Sequence, residues 1–189
     1  GQAIFSMSVS FQVLEDGLTH QVAMPEVIGP EQCMTQEQLR AQYIDDIPKE
    51  YAASFSRPQP IEMRFVEPIN EFRPDPMPPS QHVWIKASDT MPDDARLNQC
   101  LLAYASDMTL LDTCARPHGI GWANDKFQVA SLDHSMWFHA PFKTDKWMLY
   151  QQDSPFSGGA RGFNRGSFFT EDGKLIASAS QEGLIRLHD

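Results

Sequence analysis

Three polar side chains occupy positions where the surrounding sequence is apolar, and their types together suit the activation of a water molecule. Asp107 lies among helically spaced apolar residues, Ser131 extends an apolar strand pattern, and Gln181 shares the apolar face of the last strand pattern. Burying an unpaired polar group costs about 1 to 3 kcal/mol in proteins, so three such positions require an explanation. A carboxylate can take a proton from water, while a hydroxyl and an amide can hold that water. The set predicts a hydrolytic site.

The composition describes a globular chain with an excess of negative charge. Its 189 residues with 41% hydrophobic content can bury one substantial core or two small ones. A net charge of −10 disfavours nucleic acid as a partner, because the phosphate backbone is repelled. We expect no membrane insertion, since there is no run of about 18 apolar residues. The three cysteines lack disulfide or zinc spacing, so we expect a cytoplasmic protein without a cofactor.

The first predicted element is a strand. Apolar residues fill the odd positions from Ala3 to Val13, and polar residues fill most of the even ones, which indicates a half-buried strand. A lone strand cannot bury such a face. Its neighbours must be later strands of this chain or a preceding portion that the sequence lacks, and we favour the second alternative.

The next stretch is polar and irregular, apart from one helix signal. Thr35-x-x-Gln38 is a capping box and predicts a helix that continues to about Asp46. Seven of the fourteen prolines lie between Pro58 and Pro79, where they exclude a helix and mark the entry to a second domain.

One long helix and several strands follow. Pro92-Asp93-Asp94 begins a helix of about 19 residues, whose broad apolar surface suggests that a sheet wraps it. Its predicted buried stripe comprises Leu97, Cys100, Leu101, Tyr104, Ala105, Met108 and Leu111. The predicted strands are Ile61 to Val66, Val83 to Ala87, Phe127 to Leu132, Trp147 to Asp153, Gly162 to Thr170 and Leu175 to Leu187. With a hairpin at Asp172-Gly173, these elements predict an α+β fold in which a curved antiparallel sheet wraps a long central helix.

Each of the three polar residues also has an ordinary structural interpretation. Asp107 is expected to project into apolar packing near the middle of the helix, where backbone amides or a cation could bind it. The hydroxyl of Ser131 easily finds a hydrogen-bond partner in any strand, whereas the amide of Gln181 needs hydrogen-bond partners at both of its ends. The three can meet only if both strands cover the same helix.

Several segments resemble one known family. They are Ala105 to Asp107, Pro117 to Gly119, Ala130 to Phe142, Ala160 to Phe163 and Ser180 to Arg186. Together they resemble the C-terminal half of the acyl-CoA thioesterase II family, and the DHSMWFHAPF and QEG motifs are the most specific. The resemblance implies a hotdog fold, in which an antiparallel sheet wraps a long helix, and two hotdogs in each protein. It assigns residues 1–13 to the last strand of an N-terminal hotdog whose remainder is absent, 14–57 to a linker with a short helix, and 58–189 to the C-terminal hotdog.

The same resemblance assigns a function and a catalytic trio. Asp107 and Gln181 match the family pattern directly, and Ser131 stands where threonine is usual. The implied reaction, part of fatty acid metabolism, is hydrolysis of acyl-CoA to a fatty acid and coenzyme A by a water that Asp107 activates. The mechanistic alternative is a nucleophilic Asp107 that forms an anhydride. The implied partners are the acyl-CoA substrate, the missing N-terminal hotdog half and further copies of the protein.

Other catalytic patterns are absent or weak. There is no G-x-S-x-G motif, and the contiguous Asp133-His134-Ser135 cannot by itself form a catalytic relay. His134 and His139 lack metalloprotease spacing, so we expect a packed, hydrogen-bonded corner and no metal. Two other functions stay open. One is a noncatalytic acyl-binding or interaction module, and the other is a hotdog hydratase or dehydratase, which would need a histidine with an acid in its pocket.

Overall fold

A computed structural model describes residues 1–13, 15–49, 51, 57, 59–121 and 123–188. Within them, one antiparallel sheet contains strands β1 (Ile61–Phe65), β2 (Ser80–Ala87), β3 (Phe127–Ser131), β4 (Ser135–Phe138), β5 (Met148–Gly158), β6 (Arg161–Thr170) and β7 (Leu175–Leu187). The strand order is β1-β2-β5-β6-β7-β3, and β3 and β4 pair with successive parts of β7. The α+β prediction is confirmed. The six predicted strands after Pro58 all form, whereas β4 was not predicted.

The described helices are α1 (Gln36–Gln42), α2 (Ala95–Ser106) and α3 (Asp112–Ala115), with single 3-10 turns at Pro30–Gln32, Ile44–Asp46 and Arg116–His118. The predicted capping box is confirmed, because Thr35 Oγ1 accepts from the Gln38 backbone N–H at 3.2 Å while Gln38 Oε1 accepts from the Thr35 backbone N–H at 2.8 Å. None of the described helices has the length and apolar character that crossing a bilayer requires.

Helix α2 is shorter than the sequence pattern predicts. It has 12 residues and ends at Ser106, with Asp107 as its C-terminal cap. The Ser106 hydroxyl donates to the Ala103 carbonyl oxygen at 2.8 Å, a local bond that competes with continued helix. The chain then turns and resumes helical structure at Asp112. Asp107 therefore lies at a helix end and not in the middle of a helix.

The buried face of α2 also differs from the prediction. Leu102 and Ala105 pack into the core between the helix and the sheet, together with residues of β1, β2, β5, β6 and β7. Within the predicted stripe, Leu97 is 47% exposed and Tyr104 is 56% exposed. The sheet covers only one side of the helix, so Leu97, Cys100 and Tyr104 of the predicted stripe are exposed, while its other members are buried or pack against the core. In this chain α2 thus keeps an uncovered apolar face.

A segment before α1 covers the opposite face of the sheet. Cys33 packs in a second apolar cluster with Trp84, Trp147, Leu149 and Phe169. Trp84 Nε1 donates to the Ile28 carbonyl oxygen at 2.9 Å, which ties the segment to β2. The sheet is therefore enclosed by α2 on one face and by part of the predicted linker on the other.

The predicted strand from Ala3 to Val13 is not formed in this chain. Residues 1–13 have no strand structure, and Ile4 is 98% exposed. No described strand of the chain pairs with this segment, so the alternative in which later strands supply its neighbours is wrong. The assignment to a preceding hotdog, and the domain division at 14–57 and 58–189, stay predictions. Residues 14, 58 and 189, at the edges of those ranges, lie outside the described residues.

Candidate active site

The three residues singled out from the sequence meet in the structure. The buried Gln181 donates from Nε2 to Asp107 Oδ1 at 2.5 Å and to Ser131 Oγ at 3.1 Å. An ionised carboxylate only accepts hydrogen bonds, so the NH2 end of the amide must be the end that faces Asp107. The carboxamide therefore joins the end of α2 to the end of β3.

Strand pairing and a close helix contact produce this arrangement. Ser131 pairs with Gly183 in the ladder between β3 and β7, two residues from Gln181 along β7. On the inner side of β7, a Cβ at Gly183 would overlap the side chain of Leu111, which lies in the turn after α2. The absence of that Cβ lets the turn lie against β7, which keeps Asp107 within reach of Gln181.

Asp107 opens into a cleft and is not buried. Its side chain is 56% exposed, because α2 ends just before it, so the predicted burial in apolar packing is wrong. The cleft has a volume of about 430 Å³ and is lined by β1, β3 and the turn after α2, with Asp107 and Ser131 in its wall. Ser131 is also exposed. A water molecule or a small substrate group can therefore reach both side chains.

Two further acids line the same cleft. Burial raises the pKa of Asp112 well above its ordinary value, and the charge of Glu71 raises this pKa further. Burial also raises the pKa of Glu71. Both side chains line the cleft, where Asp112 is half-buried and Glu71 is exposed, so burial disfavours the charged form chiefly at Asp112. Neither acid was singled out from the sequence, because only the fold places them beside Asp107.

His134 stands next to the trio. Its Nε2 lies 2.8 Å from Ser106 Oγ, and its Nδ1 lies 3.8 Å from Asp107 Oδ1. Burial lowers the pKa of the His134 imidazole. His139 is exposed and contacts Ser178 Oγ at 2.9 Å. The hydrogen bonds predicted for these histidines form, but the predicted packed corner does not, because both residues are exposed, and the proximity of His134 to Asp107 was missed.

The described part of the chain contains no cluster of side chains that could bind a metal ion. Among those residues, no group of three or more histidine, cysteine, aspartate or glutamate side chains is arranged to hold a metal ion. The three cysteines are unpaired.

Asn164 is another residue that the sequence did not reveal. It lies on β6 directly opposite Gln181, and its side chain is fully buried. Its position on the inward face, in alternation with Gly162 and Gly166, was the available signal. That signal identifies a buried amide but not its neighbour.

Comparison with known proteins places this architecture in a family. A family model described as acyl-CoA thioesterase matches residues 52–184, well over half of the chain. The chain belongs to the acyl-CoA thioesterase family. The resemblance noted in the sequence is thereby confirmed.

Relatives of this thioesterase family member include animal and bacterial proteins. It is 39% identical to acyl-coenzyme A thioesterase 8 of Mus musculus over 198 aligned positions, which cover 99% of this chain and 60% of that protein. It is 37% identical to acyl-CoA thioesterase 2 of Haemophilus influenzae over 186 positions, covering 98% of this chain and 65% of that protein. The chain thus spans less than two thirds of the length of these relatives.

Solved structures identify the fold. An acyl-CoA thioesterase II, TesB2, from Mycobacterium marinum superposes with a TM-score of 0.71 at 35% identity, covering 94% of this chain and 61% of that one. A protein from Alicyclobacillus acidocaldarius, described as having a hot dog fold, superposes with a TM-score of 0.62 at 12% identity and covers 93% of this chain and 59% of that one. The predicted hotdog fold is confirmed.

The raised pKa of Asp112 predicts a pH-dependent stability for this chain. Near its titration the folded state binds more protons than the unfolded state, so stability is highest below the ordinary aspartate pKa of about 3.9 and falls as the pH rises toward the raised value. Asp112→Asn removes this titration. We expect its Tm to fall less steeply than that of the wild type as the pH rises above the ordinary aspartate pKa of about 3.9.

The matched control is Asp93→Asn, which removes the same charge from a side chain that is 90% exposed. Thermal melts of the three proteins across the pH range provide the measurement. If Asp112→Asn and the wild type show the same slope, the raised pKa is contradicted.

Proposed function

We propose that this chain hydrolyses acyl-CoA thioesters to a fatty acid and coenzyme A, with Asp107 as the general base. The observation that carries the proposal is the carboxamide of Gln181, which binds Asp107 and Ser131 at the wall of one open cleft. Family membership supports the substrate class, since the named relatives are acyl-CoA thioesterases.

The chemistry of a thioester explains why such a small set of groups suffices. The thioester carbonyl is electrophilic, and the leaving thiol has a pKa of about 8.5 if it resembles cysteine. A strong general acid is therefore unnecessary. The demanding step is to present a water molecule in the correct orientation and to remove its proton as it attacks.

Each member of the trio has a distinct role in that step. Gln181 occupies Oδ1 of Asp107, which leaves the second carboxylate oxygen to accept the proton of the water. Ser131 accepts the other N–H of Gln181 and so keeps its own O–H to orient the water. The oxygen of the water bonds to the thioester carbon, the C–S bond breaks, and the thiolate leaves with the electron pair. The proton taken by Asp107 then passes to the thiolate or to solvent.

His134 lies beside this base and does not carry a compensating positive charge. Because burial lowers its pKa, the imidazole is neutral around pH 7 and does not form an ion pair with Asp107. Nε2 of His134 lies 2.8 Å from Ser106 Oγ. The proton on that oxygen is also within reach of the Ala103 carbonyl oxygen and of Met136 Sδ.

We further propose that an N-terminal hotdog half covers the apolar surface that this chain leaves open. Leu97, Tyr104 and Trp137 are each about half exposed. The chain spans 60 to 65% of its named relatives, which leaves room for such a half. Assembly into a homo-oligomer and a cytoplasmic location belong to the same proposal, the latter supported by unpaired cysteines.

Removal of the proposed base provides the main test. In the complete protein that carries this sequence, Asp107→Asn should lower the rate of thiol release from acyl-CoA by a factor of about 10² or more. Asp93→Asn, an equivalent change at an exposed position away from the cleft, should leave the rate unchanged. Thiol release is followed with a thiol-reactive dye.

Two results would replace the proposal. A wild-type protein that binds acyl-CoA and releases no thiol would be an acyl-binding module. A change in double-bond absorbance without thiol release would indicate a hydratase or dehydratase.

The role of Ser131 predicts a contrast between two substitutions. Ser131→Thr keeps the hydroxyl and introduces the residue that is usual in the family, so kcat should stay within about threefold of the wild type. Ser131→Ala removes one hydrogen bond to the water and should lower kcat by roughly tenfold. Steady-state kinetics on a single acyl-CoA provide the comparison. Equal activity of the alanine variant would exclude Ser131 from the mechanism.

Isotope labelling separates attack by water from attack by Asp107. In a single turnover in water enriched in oxygen-18, the label should appear in the fatty acid and be absent from the Asp107 side chain. An anhydride intermediate could instead transfer label to Asp107 when water attacks its carboxyl carbon. Mass spectrometry of the peptide that contains Asp107 decides between the two mechanisms.

A further inference from the structure

The carbonyl end of the Gln181 amide lacks a partner in the described structure. Its Nε2 is committed to Asp107 and Ser131, yet its Oε1 is buried and accepts no hydrogen bond. A buried amide is stable in one orientation only when both of its ends are satisfied. A donor to Oε1 is therefore required on the inner side of β7.

Asn164 lies where that donor is needed. It pairs with Gln181 across the ladder between β6 and β7, and both side chains are fully buried. Directly opposed residues have Cβ atoms about 4.5 to 5.5 Å apart, within reach of a hydrogen bond or of one bridging water. Within the described residues, Asn164 Nδ2 and Oδ1 also have no nitrogen or oxygen partner. The opposed residues Asn164 and Gln181 thus contain three buried polar atoms without a nitrogen or oxygen hydrogen-bond partner in the described structure.

The surroundings of Asn164 leave few competing partners. The neighbouring inward position on β6 is Gly162, where a Cβ would overlap Cys114. The Cys114 thiol contacts Leu111, to whose carbonyl oxygen it donates at 3.0 Å. Burial raises the pKa of this thiol, and a side-chain hydrogen bond from Asn164 partly offsets that rise. Sulfur is only a weak acceptor and the Asn164 amide has two N–H groups, so Gln181 Oε1 is the stronger acceptor for the second N–H.

We propose that Asn164 is a positioning residue that donates from Nδ2 to Gln181 Oε1 through one bridging water, and so fixes the orientation of the catalytic carboxamide. If the amide of Gln181 flipped, its carbonyl would face the Asp107 carboxylate and the trio would separate. Donation to Oε1 opposes that flip. It also polarises the amide, which strengthens the bonds from Nε2 to Asp107 and Ser131. The kinetic part of this proposal rests on the proposed function, whereas the structural part does not.

Paired substitutions test the kinetic consequence in the complete protein. Asn164→Leu keeps a similar volume without a donor, and we expect kcat to fall by about five- to tenfold with KM nearly unchanged. Asn164→Ser retains a donor and should stay within about threefold of the wild type. The matched control is Asn98→Leu, because Asn98 is an equally buried amide that bonds Thr144 and Asp94 near the start of α2. It should lower Tm and leave kcat unchanged.

If Asn164→Leu and Asn98→Leu lower kcat equally for an equal loss of Tm, Asn164 has only a structural role and the proposal is wrong. If the leucine variant does not fold, the serine variant decides. Should Asn164→Ser fold with wild-type kcat and Tm, a donor at this position suffices. Loss of kcat at unchanged Tm and KM in that variant would still support a positioning role for Asn164, whereas loss of Tm with unchanged kcat would contradict the proposal.

Nuclear magnetic resonance provides a readout that does not require turnover. The side-chain NH2 signals of Gln181, identified by their loss in Gln181→Met, should shift and exchange faster with solvent in Asn164→Leu but not in Asn98→Leu. Unchanged signals in Asn164→Leu would overturn the proposal even in an active enzyme. Shifted signals in a protein that releases no thiol would instead support Asn164 and reject the proposed function.

Discussion

The carboxamide of Gln181 is the interaction on which the candidate site depends. One NH2 group binds a carboxylate from the end of α2 and a hydroxyl from the end of β3, so it joins two elements that do not otherwise share a side-chain contact in the trio. Without it, Asp107 would be an exposed acid at a helix end, with no group to define its orientation. The ionised carboxylate in turn specifies which end of the amide faces the cleft, because it cannot donate.

The end of α2 is as important as the amide itself. A helix continued through Asp107 would carry that side chain past β7, whereas the turn after Ser106 places it at the wall of the cleft. Glycine on the sheet makes this turn possible, since a side chain at Gly183 would overlap Leu111. The exposure of Asp107 thus follows from backbone packing, and it gives the proposed base access to water and substrate.

Much of the fold was predictable from local patterns, and the errors have a common cause. Alternating residues and the Asp172-Gly173 turn predicted β6 and β7 because both signals lie within the strands themselves. The predicted length of α2 was wrong because the Ser106 hydroxyl bonds the Ala103 carbonyl oxygen, which a continued helix would use for a backbone hydrogen bond. The segment from Ala3 to Val13 has a strand pattern but no partner in this chain, and a pattern cannot supply one. The meeting of Asp107, Ser131 and Gln181 was predictable. The position of Asn164 beside Gln181 was not, because it depends on the pairing register between β6 and β7.

The acids of the cleft determine which charges can approach Asp107. Burial and the charge of Glu71 raise the pKa of Asp112, so this carboxyl group binds a proton more readily than an ordinary aspartate. A proton held there weakens the negative potential around the proposed base in a chain whose net charge is −10. In the proposed reaction the thioester carbon is uncharged, so it can approach Asp107 without charge repulsion. The fatty acid product acquires a negative charge beside Asp107, and the resulting repulsion favours its release.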